Sequence, residues 1–222
     1  MATSQGHRVT ALPLALGIDF GTSGVRAAVV DPQRHAPQRH LCWQYRQGYP
    51  ALPAPESWRQ ALFAVLGALP NDLREQVGRV AIDGTSATVL LCDRTGTPLT
   101  APLLYNHPCP AALGAVKALV PAHSAAASAT SSLAKLLWWQ QTLPSATWSQ
   151  AAHLLHQADW LSAQLHGQWG ISDYPNSLKL GYDVGALRYP DGLLGQPWSP
   201  LLPQVIAPGQ TIGPVTAAIA QQ

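Results

Sequence analysis

The order of apolar and polar residues predicts a region of strands followed by a region of helices. Apolar or alternating runs of strand length occur at 14–21, 25–31, 39–49, 79–84 and 87–93. Only Thr22 and Ser23, between two glycines, separate the first two runs, and this spacing predicts a hairpin. Between the third and fourth runs, apolar residues recur at helical spacing from Trp58 onward, and Pro70 predicts the end of that helix.

The second half of the chain has the pattern of helices. Alanine-rich segments of this kind cover 111–120, 131–141 and 151–167. The segment 172–222 is rich in proline and glycine, although its last eight residues predict the start of another helix. We therefore expect a short tail at 1–13 and one α/β domain over 14–222.

The composition indicates a folded protein with a weakly charged surface. Apolar residues make up 47% of the 222 residues and charged residues only 11%, against roughly 25% in an average protein. The net charge of +2 comes from scattered cations, which argues against nucleic acid as a partner. No window approaches the ~20 apolar residues that span a bilayer, so no membrane partner is expected. Because Cys42, Cys92 and Cys109 lack CxxC spacing, a reducing, cytoplasmic location is favoured.

The Gly-Thr-Ser-Gly turn at 21–24 has the features of a phosphate-binding turn. Small residues let backbone N–H groups point into one concavity that a phosphate can approach closely. Asp19, at the end of the preceding run, is placed to hold Mg²⁺, which prefers oxygen ligands, and Arg26 can meet the charge of a transferring phosphoryl group. The alternative is a tight hairpin in which Asp and Thr only satisfy turn hydrogen bonds. The apolar run that follows excludes a P-loop, which needs a lysine and a helix there.

Several motifs, taken in order, resemble the N-terminal domain of carbohydrate kinases of the FGGY family. The segments "GIDFGTSGVRAAVVD" and "VAIDGTSATVLLCDRTGTPLTAPLLYNHPCP" are similar to its first phosphate motif and its sugar-contacting block. The segments "SSLAKLLWWQQ", "QADWLSAQLHG", "SDYPNSLKLGYD" and "PGQTIGPVTAAIA" resemble later parts of the same domain. The resemblance implies a ribonuclease-H-like domain of the actin-like ATPase superfamily, with a mixed five-stranded sheet and added helices. It also implies ATP and Mg²⁺ as cofactors and a small sugar as substrate.

The resemblance also implies roles for individual residues. Asp19 would organise Mg²⁺, and the phosphate would be bound by Gly21, Thr22, Ser23 and Arg26. The sugar would be bound by Asp83, Ser86 and Asn106. From the residues alone, Asp83 is equally compatible with a buried carboxylate that accepts turn amides, and Asn106 with an ordinary turn former.

Two departures from the family pattern concern the sugar. Ser86 and Ala87 stand where many xylulose kinases have a Met-His pair, and Tyr105-Asn106-His107 stands where they have Trp-Asn-Asp. The Asp-Gly-Thr-Ser sequence at 83–86 resembles ribulose-acting members. D-ribulose is therefore the first substrate expected and D-xylulose the second.

The resemblance implies that the C-terminal, ATP-binding domain is absent from this chain. In the family, the aspartate that activates the sugar hydroxyl and the adenosine site both follow the segment that resembles 208–222. The catalytic base is therefore expected beyond Gln222, no base is identified within the chain, and little turnover is expected from the chain alone. The expected function is the N-terminal, sugar-binding half of an ATP-dependent ketopentose kinase. The alternatives are a catalytically inactive sugar-binding or regulatory module and a subunit that complements a separate C-terminal half.

Two further sets of residues are interpreted as structural. His153, His156 and His166 lie on a segment that is expected to be helical, and they have no cysteine or carboxylate at ligand spacing, which disfavours a zinc site. Three tryptophans at 138, 139 and 160 are expected to pack in the core.

Overall fold

A mixed sheet of four strands organises the N-terminal part of the chain. The computed structural model describes residues 13–33, 41–49 and 54–221. The strands of the sheet are β1 Leu14–Phe20, β2 Gly24–Val30, β3 Leu41–Gly48 and β4 Val77–Gly84. They lie in the order β3-β2-β1-β4, with antiparallel β1/β2 and β2/β3 pairs and a parallel β1/β4 pair. The predicted hairpin between the first two runs is confirmed.

Two predictions concern the ends of the chain. The expected tail at 1–13 lies outside the described residues apart from Pro13. Gln222, beyond which the catalytic base was expected, also lies outside the described residues. The structure therefore tests neither the tail nor the position of the base, and both stay predictions.

The remaining elements are mostly helical. Between β3 and β4 lie α1 Pro55–Ala68 and α2 Asn71–Arg74. After β4 follow β5 Val89–Cys92, α3 Leu113–Leu119, α4 Ser132–Thr142, α5 Ser145–Trp148, β6 His153–His156, α6 Gln157–His166, β7 Ile171–Asp173, α7 Tyr174–Ser177, α8 Asp191–Leu194, β8 Gln204–Ile206 and α9 Ala217–Ala220. Single 3₁₀ turns occur at Pro110–Ala112, Leu178–Leu180 and Ser199–Leu201. No helix in the described part of the chain is long and apolar enough to cross a membrane.

The sheet has four strands among the described residues, where five were expected. The fifth segment of the prediction, β5, pairs antiparallel with β6 and not with β4. All four of its residues are buried, because Val89 and Leu91 belong to one hydrophobic core and Leu90 and Cys92 to the other. An apolar run that is buried on both faces shows no preference for a partner in its sequence.

One face of the sheet is covered and the other is open. Along β1, Leu16, Ile18 and Phe20 are buried, and they pack with Trp58 of α1 and Leu161 of α6 in one core. The alternate side chains point to the opposite face, where the intervening residues are partly or fully exposed. Side chains on successive strand positions point to opposite faces, so this alternation is what a half-covered sheet requires.

The segment 151–167 begins as a strand, although a helix was expected over its whole length. Residues His153–His156 pair with β5, and the helix starts only at Gln157. The backbone N–H of His156 donates to the carboxylate of Asp159 at 3.1 Å, which caps the first turn of α6. The apolar pair Leu154 and Leu155 fits a buried strand as well as a helix, so periodicity alone did not separate the two.

Candidate functional site

The hairpin turn, defined as residues 21–24, is closed mainly by backbone hydrogen bonds. The N–H of Gly21 donates to the carbonyl oxygen of Gly24 at 2.9 Å. The hydroxyl of Tyr49 donates to the carbonyl of Gly21 at 2.9 Å, and the N–H of Tyr49 donates to that of Ser23 at 3.1 Å. A side chain at Gly24 would collide with the backbone of Gln47 on β3, so glycine is required at this close approach. Thr22 and Ser23 are therefore presented to solvent on a fixed backbone.

Asp19 and Arg26 face each other across the hairpin. They are register partners in the β1/β2 pair, and the Arg26 guanidinium donates to Asp19 Oδ2 at 2.6 Å. Their side chains are 46% and 67% exposed, so the ion pair is weak and can be exchanged for another partner. In the part of the chain that the structure describes, no turn amide donates to Asp19, in contrast to the purely structural alternative.

Asp83 lies beside Asp19 on the same face of the sheet. The two residues are register partners in the parallel β1/β4 pair. Asp83 is exposed, and its Oδ1 accepts the N–H of Gly84 at 2.8 Å. Both carboxylates line an open cavity of about 620 Å³ on the uncovered face of the sheet, together with Arg26 and Arg46. Two carboxylates and two guanidinium groups thus share one solvent-accessible surface.

A second turn, residues 85–88, follows β4 and abuts the hairpin. The Thr85 hydroxyl donates to the carbonyl of Phe20 at 3.2 Å, and the Thr85 N–H donates to the side-chain oxygen of Gln157 at 2.9 Å. A cavity of about 30 Å³ lies where the two turns meet, lined by Gly21, Thr22, Trp58, Thr85, Thr88, Leu104, Tyr105 and Gln157. Such a volume has room for one water molecule or hydroxyl group.

Ser86 and Asn106 are exposed on two neighbouring turns and line neither cavity. The N–H of Tyr105 donates to the Thr88 hydroxyl at 3.0 Å, which joins the two turns. Asn106 lies within a turn that is closed by the His107 N–H and the Leu104 carbonyl at 2.9 Å. It is therefore a turn residue whose amide is also available to a ligand.

Buried polar side chains behind the turns were not assigned by the sequence. Gln157 is 2% exposed and Lys135 is fully buried. The Lys135 ammonium donates to the carbonyls of Ala87 at 2.6 Å and Tyr105 at 3.4 Å. Desolvation lowers the pKa of Lys135 to about 8. The segment "SSLAKLLWWQQ", which includes Lys135, was noted in the sequence, but its hydrogen bonds to residues far away in the chain could not be predicted from it.

A buried Ser-His-Asp arrangement lies elsewhere in the core. The Ser132 hydroxyl is 3.1 Å from His156 Nε2, and His156 Nδ1 is 2.8 Å from Asp159 Oδ2. Ser132 and His156 are fully buried, so a substrate cannot reach the hydroxyl, and the cluster serves packing. No group of three metal-ligating residues occurs within 13–33, 41–49 and 54–221. His153 and His156 lie on a strand and not on the expected helix, and the structural interpretation of the histidines stays a prediction.

Five of the eight predicted site residues line the two cavities. Asp19, Arg26 and Asp83 share the open cavity, while Gly21 and Thr22 face the 85–88 turn. Both cavities lie at the carboxyl ends of the parallel strands β1 and β4, where ligand sites of α/β folds are commonly found. The ends of these strands thus carry carboxylates and a guanidinium group in one cavity and a threonine hydroxyl in the other.

Comparisons with known proteins identify the fold. No model of a known protein family matches the chain. The xylulose kinase of Streptomyces coelicolor is 28% identical over 217 residues, which cover 91% of this chain and 44% of that protein. Xylulose kinase from Rhodospirillum rubrum superposes with a TM-score of 0.76 at 20% identity, over 94% of this chain and 46% of the other. A kinase from Brucella ovis, described as a xyloylose kinase, gives a TM-score of 0.75 at 21% identity, over 93% and 46%.

These matches confirm the resemblance to the N-terminal part of FGGY-family carbohydrate kinases. The chain has the α/β fold of that part, which confirms the predicted fold class. It spans less than half the length of the two Streptomyces xylulose kinases that it resembles. The base expected beyond Gln222 is not tested by these matches and stays a prediction.

Proposed function

We propose that this chain is the sugar-binding half of an ATP-dependent carbohydrate kinase that phosphorylates a ketopentose, D-xylulose or D-ribulose. The observation that carries the proposal is the meeting of two turns at the ends of β1 and β4. The hairpin turn has the features of a phosphate site, and the 85–88 turn, which lies in the segment that resembles the sugar-contacting block, bonds through Thr85 to the carbonyl of Phe20, the residue before the hairpin turn. Phosphoryl transfer requires a phosphate and an acceptor hydroxyl side by side, which two adjoining turns can provide.

The hairpin turn would bind the transferring phosphate. The backbone around Gly21, and the exposed hydroxyls of Thr22 and Ser23, supply hydrogen-bond donors to phosphate oxygens. Arg26 neutralises charge that spreads over the phosphoryl group, and its contact with Asp19 is exposed enough to be exchanged for that role.

The pair Asp19 and Asp83 fits a hydrated Mg²⁺. Magnesium in phosphoryl-transfer sites is commonly held by one or two carboxylates and keeps several waters. The two carboxylates are register partners on one open face, so both can reach the hydration shell of one ion. When bound, the ion offsets the negative charge of the ATP phosphates.

Ser86, Asn106 and the remaining oxygen of Asp83 would contact the sugar. A hydroxyl, an amide and a carboxylate together can donate to and accept from the hydroxyls of a ketopentose. The names of the similar proteins favour D-xylulose, whereas the Asp-Gly-Thr-Ser sequence favours D-ribulose. We therefore propose the ketopentose class and test both sugars.

Sugar binding tests the proposal directly. We expect isothermal titration of the chain with D-xylulose or D-ribulose to show binding, and Asn106→Ala to weaken it about tenfold through loss of a substrate hydrogen bond. Asn71→Ala, which removes an exposed amide at the start of α2, is the matched control and should bind like the unaltered chain. Absence of binding for both sugars, or equal binding by Asn106→Ala, would contradict the proposal.

A coupled ADP-release assay separates the kinase from a non-catalytic sugar-binding module. Turnover of ~1 per second or above, typical of working enzymes, would show that the 222 residues include a catalytic base that the sequence did not identify. If a second polypeptide that resembles the rest of a xylulose kinase restores turnover, the chain acts as a complementing half. The cytoplasmic location stays a prediction.

A further inference from the structure

Lys135 is an unusual residue for the position that it occupies. It is fully buried on α4, whose neighbouring residues Leu133, Leu136 and Trp139 belong to a hydrophobic core. Within the described ranges, no carboxylate forms an ion pair with it. A buried ammonium without a counter-ion is costly, since an apolar side chain would fill the same space without desolvation. Its presence therefore calls for a task that an apolar side chain cannot perform.

The two carbonyls that Lys135 binds belong to the two proposed sugar-contacting turns. One is the carbonyl of Ala87, the residue after Ser86, at 2.6 Å. The other is the carbonyl of Tyr105, the residue before Asn106, at 3.4 Å. Lys135 is separated from these residues by 48 and 30 positions in the chain, so one ammonium joins segments that the sequence keeps far apart.

The backbone at Ala87 supports a role in fixing conformation. Ala87 has a φ of 63°, in the left-handed region that residues other than glycine seldom adopt. Its side chain is fully buried, and its carbonyl accepts the shorter of the two Lys135 hydrogen bonds. An unfavourable backbone conformation persists only where surrounding contacts hold it. The hydrogen bond from the Lys135 ammonium is one such contact.

We propose that Lys135 is a positioning residue of the sugar site, which holds Ser86 and Asn106 at a fixed separation by binding the carbonyls of Ala87 and Tyr105. The inference rests on the proposed function, because it takes these two turns as the sugar-contacting segments. It adds that sugar affinity depends on a buried side chain that does not touch the sugar. The pKa of Lys135 is lowered because its ammonium is buried and loses its hydration.

Hydrogen exchange of backbone amides tests the positioning role without any sugar. Lys135→Met removes the donor and keeps an unbranched side chain, and Leu136→Val on the same helix is the control for a change in core packing. We expect Lys135→Met to speed exchange about tenfold or more at 86–88 and 105–107, because a charged hydrogen bond to each turn is lost. Leu136→Val should not single out these amides. Equal exchange at both turns in the two variants would overturn the proposal.

Sugar affinity provides the functional test. Lys135→Met should bind a ketopentose at least about tenfold more weakly than the unaltered chain, while Leu136→Val at comparable thermal stability should bind it equally well. If the unaltered chain binds neither sugar, the proposed function fails, and the exchange experiment alone decides whether Lys135 fixes the two turns. If Lys135→Met does not fold, Lys135→Gln, which keeps an amide donor on a shorter side chain, is used in the same comparison and should show a smaller increase in exchange.

Discussion

The hairpin turn and the 85–88 turn meet at the carboxyl ends of β1 and β4, but different kinds of contact fix their conformations. The hairpin turn is fixed by its own backbone and by Tyr49, 28 residues away. The 85–88 turn is fixed by two buried side chains, Gln157 and Lys135, which lie 72 and 48 residues from the groups that they bind. One turn is therefore a local structure, and the other depends on the packing of the helical part of the protein.

Under the proposed function, this difference corresponds to separate tasks for separate parts of the chain. A phosphate is the same in every kinase, and a local turn is enough to bind it wherever the sequence recurs. A sugar is distinguished by the positions of its hydroxyls, which requires groups on different segments to be held at defined separations. In the proposed function, helices α4 and α6 would supply that positioning from behind the turns, through Lys135 and Gln157.

The largest effect is expected at the hairpin, from Asp19→Asn. If Asp19 organises Mg²⁺, loss of its charge should lower the turnover of a kinase that contains this half by roughly 10² to 10⁴, with sugar affinity nearly unchanged. The fold should be little affected, because the exposed pair with Arg26 contributes less than about 1 kcal/mol. Steady-state kinetics and thermal melts measure both. Near-native turnover together with a lowered melting temperature would contradict the Mg²⁺ role and indicate that Asp19 only stabilises the hairpin.

The next largest effect tests whether the hairpin backbone is as constrained as its contacts indicate. Gly24→Ala places a methyl group against the carbonyl of Gln47 and the backbone of Gly48, so it should lower the free energy of unfolding by about 1–3 kcal/mol. Gly17→Ala is the matched control on the neighbouring strand, where nothing lies within 4 Å of the added methyl group. Urea denaturation measures the free energy of unfolding of both variants. Equal values would mean that β3 shifts away from the added methyl group without a loss of stability.

The sequence predicted the hairpin well because its determinants are local. Two apolar runs, two glycines and the residues between them lie within 18 residues, and each feature has a direct structural consequence. Asp19 and Arg26 were assigned to one site, and their register across β1 and β2 brings them together. The parallel pairing that adds Asp83 was not assigned from the sequence, because β4 pairs with β1 and not with β3, the strand that precedes the helix.

The 85–88 turn could not be predicted in the same way. No residue close to Ala87 in the sequence indicates that its carbonyl binds Lys135. Gln157 was interpreted only as part of a helix, although its side chain accepts a hydrogen bond from the Thr85 N–H. The strand β6 was missed because Leu154 and Leu155 fit helix and strand alike, and the partner of β5 was missed with it. The pairing of β5 with the distant β6 depends on how the core packs, and the pattern of one sequence does not indicate it.

The pH dependence of stability probes the buried lysine. Its pKa is lowered by desolvation to about 8, from 10.5, so between these values the unfolded chain holds one proton more than the folded chain. The free energy of unfolding should therefore rise with pH across this window, by up to about 1.4 kcal/mol per pH unit, relative to Lys135→Met. Burial also raises the pKa of Cys92 to about 12, but this contribution is common to both proteins and cancels in the difference. Parallel curves for the two proteins would show that Lys135 titrates normally.

The smallest effect concerns Tyr49, which supports the hairpin from a distance. Tyr49→Phe removes the hydroxyl that donates to the Gly21 carbonyl, and it should lower the free energy of unfolding by about 1 kcal/mol, the usual contribution of one hydrogen bond. Because burial raises the pKa of Tyr49 to about 12, the folded chain keeps this proton above pH 10 while unfolded tyrosine loses it. Its contribution should therefore be constant at neutral pH and disappear as the pH rises through 12.

The control is Tyr45→Phe, which removes a hydroxyl that contacts the neighbouring Gln47 side chain. It should lower the free energy of unfolding by less than about 0.5 kcal/mol. If Tyr49→Phe is as stable as Tyr45→Phe, the hairpin needs no support beyond its own backbone, and the contrast between the two turns becomes sharper than the contacts alone indicate.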